Sequence, residues 1–487
     1  MSVTSSRALE SGRCSNNHSS ISALLHSRID YALSLWFLDV LLMGALFVVL
    51  SMVRHHGNYY PYAIEAVAIS MIAFVICTFV IEGYDNRRKK RDWAYAVEHL
   101  LASAVALLGT AILIYGFAAY GSEVAAKPSR GILVSAFVLQ GVLSLFVRKT
   151  LDPILLTHSS SKQLLVVGKG EHVESFKRLC RQHEEHRKLA FVELHQPEYD
   201  HIPRKGILGE NWVLSEEEAV SKIKENPSSF DGIVLIDNPN EISTRFIQCL
   251  TNAHLHQMRV YTLDSFCETF WRKTPVSSVD PQWVFSGNFE LSRDSGYRKI
   301  KRACDIIFSL TLLVLFSPIL TLISLLILLE GKGNVFFRQH RVGQGGEVFN
   351  ALKFRTMKLG SEKQGMYTEK CDPRMTWLGK ILRPLRLDEF PQLFNVIKGE
   401  MSLIGPRAEW DACAELYTKE IPNYQLRHIV KPGLTGWAQV NYPYGAGVAD
   451  AMEKLSYDLY YIRHYSLFLD AQIILKTIYT MVSGGGR

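Results

Sequence analysis

The chain lacks paired cysteines. Its eight cysteines stand at positions 14, 77, 180, 249, 267, 304, 371 and 413, with no C-x-x-C among them. That scatter argues against a zinc site or a disulfide framework. Free thiols fit soluble parts facing a reducing cytoplasm. No nucleophile elbow, Walker loop or H-E-x-x-H occurs, and His340, His428 and His464 are dispersed without metal-ligand spacing. A dense basic-aromatic tract is also missing, so no nucleic-acid partner is expected. The opening residues, MSVTSSRALESGRCSNNHSS, lack the apolar core of a cleavable signal. Residues 1–28 read as a disordered tail.

What is present is length and apolar surface. A chain of 487 residues predicts two to four domains. Apolar residues make up 48% and mean hydropathy is +0.05, high for a soluble protein and low for a transporter. Membrane segments should therefore cluster in one part of an otherwise water-facing chain. Lys and Arg total 54 against 47 Asp and Glu, a net charge of +7 that fits anionic lipid headgroups and nucleotide phosphates.

Four apolar runs occupy residues 31–52, 63–81, 100–120 and 132–147. The first three can cross a hydrocarbon core of about 30 Å as helices, and the fourth is marginally short. Together, residues 29–150 read as a four-helix transmembrane bundle. Arg28 precedes it, Arg87-Arg88-Lys89-Lys90-Arg91 lies between the second and third runs, and Arg148 and Lys149 follow the fourth. The loops at 55–58 and 121–130 are poorer in Lys and Arg, so the charge rule puts both ends of the bundle in the cytoplasm. Asp39 and Glu65 fall within spans and are expected to face the bundle interior or the interface.

Residues 159–275 have a different texture. Gln163 to Gly170 reads as a buried strand entering a glycine turn, with a helix after it through Arg181. A second strand runs from Gly232 to Asp237, a helix follows over 244–256, and a third strand over 258–261. Such alternation indicates a parallel α/β module. In its turn, G-K-G-E-H-V, Val173 stands where a dinucleotide fingerprint has its third glycine, and no convincing acidic residue follows about 20 positions on. The module reads as Rossmann-like and degenerate, structural or regulatory rather than nucleotide-loaded.

Residues 304–329 form another apolar run, with Ser317-Pro318 in its middle. Straight, it would be about 39 Å long, enough to cross a bilayer. Pro318 removes a backbone hydrogen bond, so a kink or break is expected there. Arg298, Lys299, Lys301 and Arg302 precede the run, and Lys332, Arg338 and Arg341 follow it. A crossing helix would put one basic cluster outside, whereas a re-entrant helix-break-helix keeps both on one face. By sequence physics alone the two are balanced.

The stretch 386–407, RLDEFPQLFNVIKGEMSLIGPR, sets Asp388 and Glu389 at what reads as the start of a short helix. Phe390, Leu393, Phe394 and Ile397 recur at helical spacing and predict one inward apolar face, with Gly399 as a stop. Asp388 near the N-cap, flanked by Arg383, Arg386 and Arg407, would suit a metal-bound phosphate. On this helix alone, simple helix capping is the favoured account of the same two residues. Cationic strands carrying Arg338, Arg341, Lys353 and Arg355 could hold a pyrophosphate, though each alone is an ordinary solvated face. Lys431 to Val440 forms a glycine-proline turn containing Pro432, Gly433, Thr435 and Gln439.

Taken together, RKIKRACDIIFSLTLLVLFSP, FFRQHRVG, LKFRTM, RLDEFPQLFNVIKGEMSLIGPR and KPGLTGWAQVN resemble the bacterial polyprenyl-phosphate glycosyl-1-phosphate transferases of the monotopic type. The bundle and α/β module resemble the large subclass of that family. Departures are Phe390, where Leu is commoner, and Ala408, where Pro is usual. The resemblance implies a membrane bundle, a Rossmann-like module and an α/β catalytic domain at 297–487, whose re-entrant helix 304–329 breaks at Ser317 and Pro318.

By the same resemblance, sugar 1-phosphate passes from a UDP-sugar to undecaprenyl phosphate, starting an exopolysaccharide or glycoconjugate repeat unit and releasing UMP. Asp388 would be the nucleophile, with Glu389 assisting and both helping to hold Mg2+. Arg338, Arg341, Lys353, Arg355, Arg383, Arg386 and Arg407, with Pro432, Gly433, Thr435 and Gln439 of the glycine-proline turn, would bind substrate. The setting implied is the bacterial inner membrane, with the catalytic domain cytoplasmic, membrane lipids as partners and a homodimer as the assembly. A different class, a catalytically silent membrane regulator or scaffold, is opposed by the intact carboxylates and their arginines. The sugar itself is not specified.

Overall fold

The computed structural model describes residues 18–56, 64–85, 90, 92–116, 128–156, 163–182, 189–194, 211–214, 216–225, 230–237, 242–255, 258–279, 295–331, 333–358, 360, 372–443, 445 and 447–482. Residues 1–17 of the expected tail, Arg87, Arg88, Lys89, Arg91 and Lys332 lie outside the described residues. The chain divides into two units, Met1–Val260 and Tyr261–Arg487.

In the first unit, α1 (His18–Arg54), α2 (Ile64–Val80), α3 (Trp93–Ala111) and α4 (Arg130–Leu156) form the apolar helices. Residues 18–28 are helical rather than a disordered tail. A helix already nucleated by the following span gains one hydrogen bond per added residue, so it propagates backwards through ISALLHSR. Lengths also differ from expectation. Helix α2 is the short one at 17 residues, while the fourth run sits inside an α4 of 27.

Helix α4 continues because Arg148 does not mark its end. Its guanidinium turns inward onto Asp39 of α1, with Nη2 2.6 Å from Oδ2 and Nη1 3.0 Å from Oδ1. The Ser144 and Tyr84 hydroxyls donate to the same carboxylate at 2.7 and 2.8 Å. A buried charge pair of this kind is retained only when its remaining hydrogen-bonding groups are satisfied. Glu65 is exposed in the first turn of α2. Lys90, from the five-cation run, is buried against Tyr31.

The same unit carries a five-stranded sheet in the order β3-β2-β1-β4-β5. Its strands are β1 (Gln163–Lys169), β2 (Leu189–Leu194), β3 (Asn211–Leu214), β4 (Phe230–Leu235) and β5 (Arg259–Thr262). The β1 pairings with β2 and β4, and the β2 pairing with β3, are parallel. Helices α5 (Gly170–Gln182), α6 (Glu216–Glu225) and α7 (Thr244–Leu255) alternate with these strands. Strands β2 and β3 and helix α6 were not visible as sequence patterns, because LAFVEL and NWVL are short and α6 is mostly charged. After β1 the turn is closed by its own sheet. Asp237 accepts from the Lys169 N–H at 2.8 Å and lies 2.5 Å from His172 Nδ1.

The second unit begins earlier than the helix-strand alternation suggested. Residues 263–279, with α8 (Leu263–Phe266), join it through Val276 and Val279 in its main core and through Trp437, whose indole N–H donates to Arg272 O at 2.9 Å. Helix α9 (Ser295–Glu330) contains Pro318 without ending there. The carbonyl of Val314, deprived of the Pro318 N–H, accepts from Ser317 Oγ at 2.8 Å. That side-chain bond stands in for the lost backbone donor.

Beyond α9 come β6 (Phe336–Val342) and β7 (Val348–Phe354), an antiparallel hairpin, then α10 (Trp377–Leu382) and α11 (Gln392–Lys398). The unit closes with β8 (Ser402–Ile404), α12 (Asp411–Glu420), β9 (Gly433–Thr435), α13 (Trp437–Asn441), α14 (Val448–Arg463) and α15 (Leu467–Val482). By length and composition, four helical segments among the described residues could cross a membrane: Tyr31–Arg54, Trp93–Gly116, Arg130–Thr150 and Gly296–Glu330. These helices and the parallel α/β sheet are those of a membrane-associated protein.

Candidate active site

Asp388 and Glu389 do not open a helix. They occupy a 3-10 turn, Leu387–Glu389, and α11 starts only after Pro391. Arg386 at φ 53° turns the chain into that 3-10 segment, and Pro391 then permits only a first-turn position. The expected inward face is also rotated. Leu393 and Val396 are buried, whereas Phe394 is half exposed, since Asn395 is pulled inward by its polar contacts. Its carbonyl accepts from Leu352 N–H at 3.0 Å and its amide donates to Asn350 O at 2.7 Å. Those bonds fix α11 against β7. Gly399 ends the helix at φ 92°, as expected of a C-terminal glycine.

The β6–β7 hairpin sorts its cations by strand alternation. Phe337 pairs with Lys353 and Arg341 with Phe349, so Arg341 and Lys353 share one face. Arg338 is on the opposite, exposed face and is not brought to the carboxylates. Arg355 is likewise spent elsewhere: its Nη2 donates to Ile327 O and Gly331 O, both at 3.0 Å, capping the end of α9. Lys353 Nζ donates to Glu389 Oε1 at 2.9 Å, and Arg407 Nη2 to the same oxygen at 3.0 Å. Arg383 Nε donates to Thr356 Oγ1 at 3.0 Å.

The two carboxylates are unequal. Burial raises the Glu389 acid, but Arg407 and Lys353 override it and hold the group well below the usual range. Burial, followed by the Glu389 charge, pushes Asp388 up to about 6 against the pull of Lys353, Arg383 and Arg407. No described residue donates a hydrogen bond to the Asp388 carboxylate, although it is only 8% exposed. The cations crowd one another: burial and then Arg407 lower Arg341 to about 10, and the same two causes lower Arg386. Burial takes Lys353 down to about 8 despite Glu389. A buried carboxylate that accepts no hydrogen bond from the described residues, faced by mutually repelling cations, leaves positive charge that an anionic ligand could satisfy.

Among the described residues no group of three or more His, Cys, Asp or Glu could hold a metal. Two adjacent carboxylates do fit Mg2+, which uses one or two protein carboxylates and takes its other ligands from water and phosphate.

A model of the family described as bacterial sugar transferase matches residues 296–484. The UDP-N-acetylgalactosamine-undecaprenyl-phosphate N-acetylgalactosaminephosphotransferase of Aeromonas hydrophila is 38% identical over 258 residues, 53% of this chain and 60% of that one. The UDP-glucose:undecaprenyl-phosphate glucose-1-phosphate transferase of Escherichia coli (strain K12) is 42% identical over 37% of this chain and 40% of its own. A protein of the same name in Caulobacter vibrioides is 39% identical, and the match covers 70% of its length. The chain belongs to the bacterial sugar transferase family. It spans 60% and 40% of the first two relatives' own lengths.

In this member of the family the bonds of the Lys431–Val440 turn are to neighbouring backbone and side chains. Pro432 O accepts from Ser402 N–H at 2.9 Å, Gly433 N–H donates to Pro406 O at 2.8 Å, and Thr435 O accepts from Gly405 N–H at 2.9 Å. The Thr435 hydroxyl pairs with that of Thr477, and Gln439 Nε2 donates to Leu434 O at 3.2 Å. Gly433 and Thr435 thus brace the Gly405–Arg407 turn, Pro432 holds β8 through Ser402, and Gln439 bonds within its own turn. A Cβ on Gly433 would fall 2.1 Å from Gly405 N and 2.5 Å from Thr435 O, both backbone atoms. Gly433→Ala is therefore expected to cost about 3 kcal/mol and lower the thermal unfolding midpoint, which a thermal melt of the purified protein measures.

Residues that sequence reasoning missed lie just behind this turn. Glu409 is flanked by Arg427, Arg407, Arg341 and Lys454, and those cations hold it below its usual range despite burial. Its position two residues after Arg407 was the available signal. Arg427 and Asp458 carry no motif and are joined only by the fold.

Proposed function

We propose that this protein transfers sugar 1-phosphate from a UDP-sugar to undecaprenyl phosphate, releasing UMP and forming undecaprenyl-diphosphate sugar. The observation that carries the reading is the unengaged, buried Asp388 carboxylate beside a cation-held Glu389. Relatives bearing that activity in their names lend it support.

Asp388 attacks the sugar-bearing phosphorus of the donor, and the bond to the UMP oxygen breaks. The sugar phosphate is then held on Asp388 as an acyl phosphate. The polyprenyl phosphate oxygen attacks the same phosphorus and frees the carboxylate. One phosphoanhydride is exchanged for another through a carboxylate, so two similar steps replace one difficult displacement. The acceptor is already an anion and needs no strong base. Lys353 and Arg407 keep Glu389 ionised and oriented, while Arg341, Arg383 and Arg386 supply the positive field for the diphosphate. Mg2+, when bound through Asp388 and Glu389, would neutralise charge on the leaving nucleotide.

Membrane placement belongs to the same proposal. Helix α9 dips into the inner leaflet and returns, bending at Ser317–Pro318. A straight helix of 36 residues would separate its ends by about 54 Å. Yet near its start Lys301 pairs with Asp470 at 2.5 Å, and near its end Ile323 and Ile327 pack with Leu378 and Leu382 of the same unit. Contacts of both parts with the same unit, together with basic flanks at both ends, support the reading that both ends lie on the cytoplasmic side of the bacterial inner membrane, where UDP-sugars are. The α/β module is Rossmann-like and degenerate, structural or regulatory rather than nucleotide-loaded, with Asp237 engaging Lys169 N–H and His172 at its glycine turn, and the protein works as a homodimer. A silent scaffold would leave the buried, unengaged Asp388 carboxylate without purpose.

The test incubates purified protein with UDP-[14C]-sugar and no lipid acceptor. One equivalent of label should stay with the denatured protein as one UMP is released, and chase into lipid when undecaprenyl phosphate is added. Transfer into lipid with no protein-bound label under any quench would remove the covalent step.

A further inference from the structure

The segment that presents Arg407 to Glu389 is clamped through three successive carbonyls. Pro406 O accepts from Gly433 N–H at 2.8 Å, Arg407 O from Arg427 Nη2 at 3.0 Å, and Ala408 O from Arg341 Nη1. The middle clamp differs from the others in being a buried charge with its own counter-ion. Arg427 is 5% exposed and Asp458, on α14, is 1% exposed. Arg427 Nη2 donates to Asp458 Oδ2 at 2.7 Å, Nη1 donates to the Tyr424 hydroxyl, and Glu409 Oε1 lies 3.9 Å from Nη1.

Burying an arginine and an aspartate is costly unless geometry and further hydrogen bonds repay the lost hydration. A packed apolar pair would stabilise the same volume at least as well. What an apolar side chain could not do is donate to the Arg407 carbonyl. That carbonyl belongs to the residue whose side chain, 3.0 Å from Glu389 Oε1, completes the cation pair on the site's second carboxylate. A continuous run of polar contacts therefore leads from Asp458 through Arg427 and the Arg407 backbone to Glu389.

We infer that Arg427, anchored by Asp458, is a positioning residue that aims Arg407 at Glu389 and at the diphosphate of the donor. This inference rests on the transferase proposal for the identity of that diphosphate. Arg427 is not itself aimed at the carboxylate pair: its Nη1 and Nη2 donate to Tyr424, Asp458 and Arg407 O. Its influence on the donor diphosphate is carried through Arg407.

Non-additivity with Arg407 separates this from a general structural role, because residues acting in series do not add. The readout is UDP affinity of the purified full-length protein by titration calorimetry, which needs no turnover. Arg427→Met is expected to weaken UDP binding about tenfold, and Arg427→Lys, which can still donate to the carbonyl, to stay within about threefold of wild type. On an Arg407→Ala background, Arg427→Met should add less than a twofold loss. Asp458→Asn, which keeps the shape and removes the anchor's charge, serves if the methionine variant does not fold, with about a threefold loss that also vanishes on the Arg407→Ala background. Equal losses with and without the Arg407 side chain, or no loss in either variant, overturn the inference. Wild-type protein with no UDP affinity would overturn the donor proposal and this inference with it, a result distinct from unchanged coupling.

Discussion

Asp388→Asn is expected to lower sugar-phosphate transfer at least about a thousandfold while leaving the protein folded. Asparagine keeps the shape of the side chain but its amide cannot displace UMP from phosphorus. Removal of an activated nucleophile is a transition-state loss, so turnover should fall with little change in UDP affinity. Stability should not fall with it. The Asp388 carboxylate accepts no hydrogen bond from described residues, and burial together with the adjacent Glu389 charge raises its pKa to about 6. A neutral amide relieves that repulsion, so the thermal midpoint should hold or rise. The assay is counts transferred from radiolabelled UDP-sugar into lipid extract, alongside a thermal melt. A variant that retains more than a tenth of wild-type turnover would rule Asp388 out as the nucleophile.

The same two carboxylates show what sequence could and could not convey. Their adjacency among Arg383, Arg386 and Arg407 was legible, as were the glycine-proline turn at Lys431–Val440 and the strand that carries Lys353. That turn was expected to bind substrate, whereas its bonds are structural. The local backbone was not. Helical spacing of Phe390, Leu393, Phe394 and Ile397 suggested a helix beginning at Asp388, but the left-handed Arg386 and Pro391 confine Asp388 and Glu389 to a separate 3-10 turn. Basic composition could not sort the cations either. Arg338 and Arg341 are three residues apart in one strand, and pleat alternation sends one to solvent and the other toward the carboxylates. Arg355 resembles a ligand for phosphate in sequence, yet its Nη2 donates to Ile327 O in the last turn of α9 and to Gly331 O just beyond it. In the bundle, Arg148 looked like a flanking charge and is instead buried on Asp39, 109 positions away. Such pairings depend on which elements meet, and no local pattern encodes them.

Lys353→Met is the second large effect expected, and it should strike both stability and catalysis. The methionine fills a similar volume without a charge, leaving Glu389 buried with Arg407 as its remaining direct partner. Breaking a buried ion pair from one side costs about 3–5 kcal/mol, because the orphaned charge stays in place. The sign with pH follows from Glu389, whose folded pKa lies well below its ordinary 4.5. A depressed carboxylate contributes stability above its unfolded pKa and loses it as pH falls through the folded one. The deficit of the variant should therefore be full at pH 7 and shrink on acidification below about 4.5. Catalysis should suffer separately. Lys353 is among the charges that pull the Asp388 pKa down, so without it the nucleophile is protonated over a wider range. Transfer near pH 6.5 should fall about a hundredfold, with part of the loss recovered near pH 8.5. Chemical-denaturant melts across pH, paired with initial rates at the two pH values, measure both effects. A pH-independent stability deficit would show that Lys353 acts through packing alone, and an unshifted rate profile would disconnect it from Asp388.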